Sequence, residues 1–428
     1  MARLWIGVNP LRVLLFLFFL ATISSQSAMD LFASLIVLAV IFHFWKSKSE
    51  LKVHLGAFKK TPGQWFWFWL AGWFLASTLS LVFNQHSWRA WGALFDFKWT
   101  VFLFFLIAAL QATRTFGIPS TLSLKKFLPA FAALSLASLY SIAIWYFRFD
   151  PLDPANDFSP WSGGVRSGGL LSNPMTFAHV YSLHLCLWLG LLIIGFVDQH
   201  RSKWLLLFGC AVTAVAILLS FTRGAWLGLI VAFLMMALVR NRKAGLLAGL
   251  GLAAGIFLLL NSWELFSNRA FDLSRNGDER QIIWKAHFQL FQENPFFGVG
   301  FKQTSPQVVE IYKTWKAPSH TQIGHAHNQY LHWLASIGII GCFFATGFFC
   351  FMALMNYRSY QKVRTALQRK SLHEAILLGG LGAHCLWFVG ALTESSFEHS
   401  KVKYVLVLIW ALVIKISQAY DQPEVSKV

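Results

Sequence analysis

The sequence predicts an all-α, polytopic integral membrane protein, a bundle of about twelve transmembrane helices. Of its 428 residues, 56% are hydrophobic and only 13% are charged, about half the charged fraction of a soluble globular domain. The apolar residues fall in blocks of roughly 16 to 25, the length that a helix needs to cross a hydrocarbon core of about 30 Å. The blocks lack the period-two alternation of a membrane β-barrel, so helices are expected.

The blocks are expected to form a single membrane domain over residues 1–428. The predicted spans are 11–24, 28–46, 64–84, 94–113, 126–147, 175–197, 203–220, 224–239, 244–261, 328–356, 371–391 and 402–418. The first resembles a secretory signal, but an uncleaved span is expected because many spans follow. The five connections rich in Lys and Arg, those after spans two, four, six, eight and ten, fall on one side. Short cytoplasmic loops carry such charge, so both termini are expected in the cytoplasm.

A long connection, residues 262–327, lies between spans nine and ten on the predicted outer side. Asp278 is expected to cap an amphipathic helix that ends before Pro295 and lies flat on the membrane. Ser305 is expected to cap a second short helix, with Pro306 at its first position. The connection is therefore predicted to be a large helical loop at the outer, periplasmic face.

Arginines on the predicted outer side run against the charge bias and indicate an anion site. Arg223 lies in a tight hairpin, Arg166 in a glycine-rich segment, and Arg280 in the first helix of the long connection. The planar arginine fork binds phosphate oxygens in a bidentate way and stays charged, so several converging arginines would hold a diphosphate. The alternative interpretation is a cation that snorkels to the lipid interface.

A second candidate group is His325 and His327, followed by Asn328, where the long connection re-enters the membrane. Histidine can transfer protons near neutral pH. A metal site is not expected, because no cysteine or carboxylate lies at ligand spacing beside the pair. Glu394, between spans eleven and twelve, could orient His327 or an arginine, or it could be a solvated loop acid.

These motifs, in their order along the chain, resemble the O-antigen ligase and polymerase superfamily. The resemblance rests on segments 220–228, 280–285, 294–300, 325–334 and 338–341, with 166–174 and Glu394 in addition. It covers roughly residues 160–400, and the order of the motifs is more specific than any one of them.

The resemblance implies a glycosyltransferase of the bacterial inner membrane with a periplasmic active site. The donor would be a glycan on undecaprenyl diphosphate. The acceptor would be a sugar hydroxyl of lipid A-core in a ligase, which the single large outer loop favours, or another carrier-linked repeat unit in a polymerase. His327 would be the base, and Arg223 and Arg280 would stabilise the leaving diphosphate without metal or cofactor, with inversion at the anomeric carbon. The expected substrate-binding residues are Arg166, His325, Asn328 and Glu394.

Other classes of protein are less consistent with the sequence. The net charge of +18 does not indicate a nucleic-acid partner, because its Lys and Arg are scattered among loops. A transporter or flippase for an anionic lipid would place charged or broken helices at mid-membrane depth, whereas the ionisable residues here gather at the predicted outer rim. A hydrolase of the same lipid carrier, with water in place of the acceptor, stays open.

Overall fold

The computed structural model describes residues 10–113, 128–147, 168–171, 173–195, 200–243, 274–318, 324–366 and 371–421, with parts of 245–251. This described part is helical and contains no strand. The α-helices are α1 (Pro10–Thr22), α2 (Gln26–Lys46), α3 (Lys48–Lys60), α4 (Gln64–Phe83), α5 (Lys98–Ala112), α6 (Leu128–Phe147), α7 (Pro174–Ile194), α8 (His200–Leu218), α9 (Arg223–Arg240), α10 (Ser274–Glu293), α11 (Thr304–Thr314), α12 (Gln329–Ala366), α13 (Leu372–Gly390) and α14 (Ser400–Tyr420). Three 3₁₀ segments are Trp88–Phe97, Gly169–Leu171 and Ser396–Glu398.

Most of the predicted spans correspond to helices of this structure. Nine helical segments of the described residues are long and apolar enough to cross a membrane, namely α2, α4, α5 with the 3₁₀ segment before it, α6, α7, α9, α12, α13 and α14. The shorter apolar helices α1 and α8 match two further predicted spans. The predicted span 244–261 lies largely outside the described residues. A polytopic helical membrane protein is therefore confirmed.

The predicted starts of both helices in the long connection were wrong. α10 begins at Ser274, so Asp278 lies inside its first turns instead of capping it. Aspartate is a preferred residue type at helix N-caps, which explains why the sequence suggested a start there. α11 begins at Thr304 after Gln303, which makes no side-chain cap, and Pro306 is its third residue. Proline is tolerated there because the first N–H groups of a helix have no partner within it.

The core of the bundle is built around α7, α13 and α14, whose residues are largely buried. α13 packs along α7 and α9, α14 packs on α5 and α12, and α12 packs on α4. Below the connection between α13 and α14, large rings from several helices meet in one group, which we call the aromatic cluster. Its members are Trp73, Trp99, Trp333, Phe348, Phe349, Trp387, Phe397 and Trp410.

α12 contains a sharp break at Gly338, whose φ of +66° and ψ of −172° are not helical. Such an extended positive-φ conformation is essentially restricted to glycine. The segment between α10 and α11 fills the break. The Val299 N–H donates to the Ala335 carbonyl at 2.9 Å, and the Ile339 N–H donates to the Pro295 carbonyl at 2.8 Å. The interrupted backbone is thus hydrogen-bonded by the connection itself.

Candidate active site

A buried carboxylate, Glu394, lies between α13 and α14, with only 2% of its surface exposed. The Ser395 N–H donates to its Oε1 at 3.0 Å. Phe397, in the 3₁₀ segment that follows, inserts its ring into the aromatic cluster. This packing anchors the connection and so fixes the position of Glu394.

His327 meets this carboxylate from the residues just before α12. Its Nδ1 lies 3.0 Å from Glu394 Oε2. The φ of His327 is +46°, a left-handed conformation that is costly for a residue with a side chain and that surrounding contacts must maintain. Gln329 supplies two of them: its N–H donates to the Ala391 carbonyl at 2.7 Å, and its Oε1 accepts from the Phe397 N–H at 2.8 Å.

The contact with Glu394 determines which nitrogen of His327 can act as a base. A carboxylate only accepts hydrogen bonds, so Nδ1 carries the hydrogen in this contact and the free electron pair of the neutral ring is on Nε2. A carboxylate in this position orients the imidazole and stabilises the imidazolium that forms when the ring takes a proton. The side chain keeps 11% of its surface exposed, so the ring is not sealed within the protein.

Two further histidines surround the same carboxylate. His325 Nε2 and His399 Nε2 each lie 3.9 Å from Glu394 Oε1, beyond hydrogen-bond distance but close enough to act electrostatically. Burial opposes ionisation of Glu394, but His327 and His399 outweigh it and hold its pKa well below the usual range. Burial and the neighbouring His327 lower the pKa of His325. Near neutral pH the group is therefore an ionised carboxylate beside a neutral His325.

A second charged group, which we call the ionic cluster, consists of Asp96, Lys302, Glu398 and Lys403. Lys302 Nζ lies 3.1 Å from Asp96 Oδ1 and 3.6 Å from Glu398 Oε2, and Lys403 pairs with Asp96. His332 Nε2 lies 3.9 Å from Glu398 Oε1. Burial opposes ionisation of Glu398, but His332 and the two lysines outweigh it and lower its pKa to about 2. The cluster ties the long connection to the starts of α5 and α14.

Sequence reasoning misses the ionic cluster and the place of His399. Its members come from distant parts of the chain, so no local spacing reveals them. One signal was available: Lys401 and Lys403 open the last span on the side predicted to face outward, against the positive-inside bias. Lys401 Nζ donates to the Leu171 carbonyl at 3.3 Å. Lys401 and Lys403 therefore indicate the same end of the bundle as the arginines on the predicted outer side do.

Glu398→Gln is expected to make the fold less sensitive to acid. Because the pKa of Glu398 is lowered to about 2 in the folded state, its charge stabilises the protein above the unfolded pKa of about 4.3, and this contribution is lost as the pH falls toward the folded value. The thermal unfolding temperature in detergent should fall more steeply for the wild type than for the variant below about pH 4.3. The exposed Glu310→Gln is the control and should follow the wild type. Parallel wild-type and Glu398→Gln curves would contradict the assignment.

Arg223 begins α9, and the next residue brings the start of that helix to the carboxylate loop. A Cβ on Gly224 would lie 1.7 Å from Thr393 Oγ1. Only glycine, which has no Cβ, therefore allows the start of α9 and the segment before Glu394 to approach this closely. Thr393 precedes Glu394 in the chain. The start of α9, with its positive dipole end, is therefore next to the buried carboxylate.

Arg280 lies in α10, one turn before Trp284. Trp284 Nε1 donates to the carbonyl of Ala326 at 2.9 Å, and Ala326 is the residue between His325 and His327. Residues four apart share one face of a helix. Arg280 is therefore on the side of α10 that meets the two histidines.

The remaining two predicted site residues are Arg166 and Asn328. Arg166 lies outside the described residues. Asn328 has a local contact, because its Oδ1 accepts from the Leu331 N–H at 3.0 Å, which is the pattern of a helix N-cap. Its side chain therefore helps to start α12 beside His327.

The same side chains could also hold a metal ion. The ligand atoms of His325, His327 and Glu394 all lie within 4.8 Å of one another. Two imidazoles and one carboxylate are a ligand set that zinc accepts, with a fourth position open to water or substrate. The sequence showed no carboxylate near the histidines because Glu394 comes from a distant segment. The group thus fits two arrangements, a carboxylate–histidine base and a three-ligand cation site.

The fold and this group define a polytopic helical membrane protein with a buried carboxylate–histidine centre at one end of its bundle. Residues 208–346, about a third of the chain, match the family model described as O-antigen ligase. The match confirms the resemblance to the O-antigen ligase and polymerase superfamily, does not distinguish the two, and supports an enzyme. It includes Arg223, Arg280 and both histidines but ends before Glu394. No curated protein matches the chain.

Proposed function

We propose that the protein is an O-antigen ligase that transfers a glycan from undecaprenyl diphosphate to a sugar hydroxyl of lipid A-core. The observation that carries the proposal is the 3.0 Å contact between His327 Nδ1 and Glu394 Oε2, close to the helix that Arg223 begins. The family match at residues 208–346 supports a reaction on lipid-linked glycans. A repeat-unit polymerase of the same superfamily is the second candidate.

His327 is the general base of the proposed reaction. Its Nε2 takes the proton of the acceptor hydroxyl while that oxygen attacks the anomeric carbon on the face opposite the diphosphate. The bond between the anomeric carbon and the diphosphate oxygen breaks, so the configuration inverts and the carrier diphosphate leaves. Glu394 holds the ring and stabilises the imidazolium, and a general base of this kind contributes about 10²- to 10⁴-fold.

The leaving diphosphate needs fixed positive charge, which Arg223 and Arg280 supply in this proposal. Both lie on helices that contact the segments carrying the histidine–carboxylate group, α9 at Thr393 and α10 at Ala326. The amino-terminal end of α9 adds the partial positive charge of a helix start. Guanidinium groups can replace a divalent ion as the stabiliser of the leaving group. Arg166 is a further candidate for diphosphate binding, and the exposed side of His325 is a candidate contact with the sugars, whereas Asn328 would act mainly by capping α12.

The proposed location is the bacterial inner membrane, with both termini cytoplasmic and the histidine–carboxylate group facing the periplasm. The support is the distribution of Lys and Arg among the connections, since short cytoplasmic loops carry the excess. In this orientation residues 262–327 form the large periplasmic loop of a single membrane domain. The site then has access to lipid-linked donors on the outer leaflet and to surrounding membrane lipids.

A transporter is the competing class, and the broken helix α12 is the feature closest to its signature. In transporters, unwound backbone lines the substrate path. Here the backbone on both sides of Gly338 is hydrogen-bonded to the segment between α10 and α11. The break therefore supports the packing of the loop and not a path through the membrane.

The purified protein should transfer a carrier-linked glycan to lipid A-core in excess chelator, yielding glycan-bearing lipid A-core and free carrier diphosphate. The metal-free reaction is expected because the arginines neutralise the leaving group. Longer carrier-linked glycan, with no glycan added to lipid A-core, would identify a polymerase. Free glycan, released by attack of water, would identify a hydrolase. Loss of transfer in chelator, restored by a divalent ion, would instead make His325, His327 and Glu394 metal ligands.

In cells, loss of the protein separates the two candidates within the superfamily. Without a ligase, completed polymer stays on the carrier, because polymerisation proceeds but the final transfer does not. Without a polymerase, single repeat units accumulate. The length distribution of carrier-linked glycan in a deletion strain therefore provides an independent measurement.

A further inference from the structure

The ligand atoms of His325, His327 and Glu394 converge around one point. His327 Nδ1 lies 3.0 Å from Glu394 Oε2, and His325 Nε2 lies 3.9 Å from Glu394 Oε1. The two imidazole rings are neighbours, with their centroids 4.3 Å apart. Each ring is therefore close both to the carboxylate and to the other ring.

The backbone around this group is held by contacts with other elements. The Ala326 carbonyl, between the two histidines, accepts a hydrogen bond from Trp284 Nε1 at 2.9 Å, and Ala326 itself is fully buried. The Glu394 side chain is also buried, and its Oε1 accepts from the Ser395 N–H. The fold thus arranges the ligands before any ion binds, which reduces the cost of ordering them on binding.

The distances need little change to become those of a zinc site. Zinc–ligand bonds of about 2.0 to 2.2 Å at tetrahedral angles set ligand atoms about 3.3 to 3.6 Å apart. The His327–Glu394 separation of 3.0 Å is slightly shorter than this, and the His325–Glu394 separation of 3.9 Å is slightly longer. The ion takes the position of the hydrogen between His327 and Glu394, so it requires no separate cavity. His325 is the least buried of the three, with 40% of its side chain exposed, and a small rotation of its ring completes the set.

The ligand types select zinc over the commoner hard cations. Among the described residues, the basic groups that lie 3.0 to 3.9 Å from the Glu394 carboxylate are all imidazoles, those of His325, His327 and His399. Magnesium and calcium prefer sets of oxygen ligands, whereas imidazole nitrogen together with a carboxylate suits zinc. Magnesium is therefore expected to bind here weakly, and it serves as a control ion.

We propose that His325, His327 and Glu394 reversibly bind one zinc ion, and that the bound ion switches off glycan transfer. The inference rests on the proposed function, because it concerns the regulation of the same site. Zinc is in this proposal an inhibitor and not a cofactor.

His327 cannot be a zinc ligand and a general base at the same time. When Nδ1 binds the ion, the neutral ring carries its one hydrogen on Nε2, so Nε2 has no free electron pair for the acceptor hydroxyl. When the ring turns and Nε2 binds the ion, that electron pair is occupied directly. Zinc bound through either nitrogen therefore removes the base.

Full-length purified protein, freed of metal with chelator, tests the proposal by two independent measurements. Zinc binding is measured by titration calorimetry, and glycan transfer is measured at buffered concentrations of free zinc. We expect one zinc ion to bind per chain and transfer to fall by at least about ten-fold as the site fills, since the base contributes about 10²- to 10⁴-fold. Added chelator should restore transfer, and magnesium at the same concentration should leave it unchanged.

His325→Asn and His325→Asp separate a metal ligand from a structural side chain. The two replacements have the same shape, but only aspartate offers an ionised oxygen to zinc. We expect His325→Asn to weaken zinc binding by about 100-fold and His325→Asp to recover most of it. The zinc concentration that halves transfer should shift in the same way, measured against each variant's own activity in chelator.

His43→Ala is the matched control for zinc bound by a single histidine and a carboxylate. His43 lies 2.7 Å from Glu50, so the pair offers the same ligand types without a second imidazole. The variant should bind zinc, and be inhibited by it, as the wild type is.

Three results would overturn the proposal: no zinc bound by the wild type, equal binding by the wild type and His325→Asn, or zinc bound without loss of transfer. Transfer that requires zinc would also overturn it, because the ion would then be a cofactor. Absence of transfer by the wild type both in chelator and in zinc would instead refute the proposed function. The calorimetric comparison of the variants would still decide whether the metal site exists.

Discussion

His327→Ala is expected to lower kcat for glycan transfer by about 10²- to 10⁴-fold, the contribution of a general base. Binding of the lipid-linked donor should change little, because the imidazole acts on the acceptor hydroxyl and not on the diphosphate. The measurement is single-turnover transfer by purified protein, with donor binding followed separately.

Two variants make this expectation specific. Glu394→Gln keeps the shape of the side chain but removes the charge that stabilises the imidazolium, so it should also lose most of the rate. The double variant should be little worse than His327→Ala alone, because the pair acts as a unit. His325→Ala is the milder control. A larger loss in His325→Ala than in His327→Ala would make His325 the base.

Arg223→Lys is expected to reduce transfer by about 10²- to 10³-fold, as removal of one preorganised donor does in other enzymes. Lysine keeps the charge but loses the bidentate fork that matches phosphate oxygens. The matched control is Arg240→Lys at the other end of α9, where the arginine pairs with Glu374 at 2.6 Å and lysine can maintain an ion pair. Near-normal transfer by Arg223→Lys, with protein present in the membrane, would remove the bidentate argument. Arg280→Lys should behave like Arg223→Lys.

The spans could be predicted from the sequence because lipid imposes one rule on every residue of a span. A spanning helix must be apolar along about twenty residues, and that property is local. The amphipathic helix α3 was not foreseen, because its basic residues were interpreted only as a loop that marks the cytoplasmic side. The start of α10 was misplaced because aspartate is a preferred residue type at helix N-caps, and no local signal shows that the helix already begins four residues before Asp278, at Ser274.

The candidate site could be predicted only in part, for a related reason. His325, His327 and Arg223 carry local signals, namely their short motifs and their position against the charge bias. The partnership of His327 with Glu394 joins residues 67 positions apart, and it depends on how α12, α13 and the aromatic cluster pack. The ionic cluster depends on the same packing. Spacing along one chain does not encode such contacts, so Glu394 was a candidate without a determined partner.

The break at Gly338 has a consequence for exchanging parts between relatives of this protein. The segment after α10 completes the hydrogen bonding of the membrane helix α12, so α12 and the long connection depend on each other structurally. A chimera that replaces residues 274–318 alone keeps partners for the carbonyl of Ala335 and the N–H of Ile339 only if the new segment follows the same path beside α12; a different path leaves both groups unpaired, inside a region where such groups are costly. A graft that also carries the 329–341 segment keeps both hydrogen bonds. The long connection is therefore expected to keep its structure in a chimera when it is exchanged together with the first turns of α12.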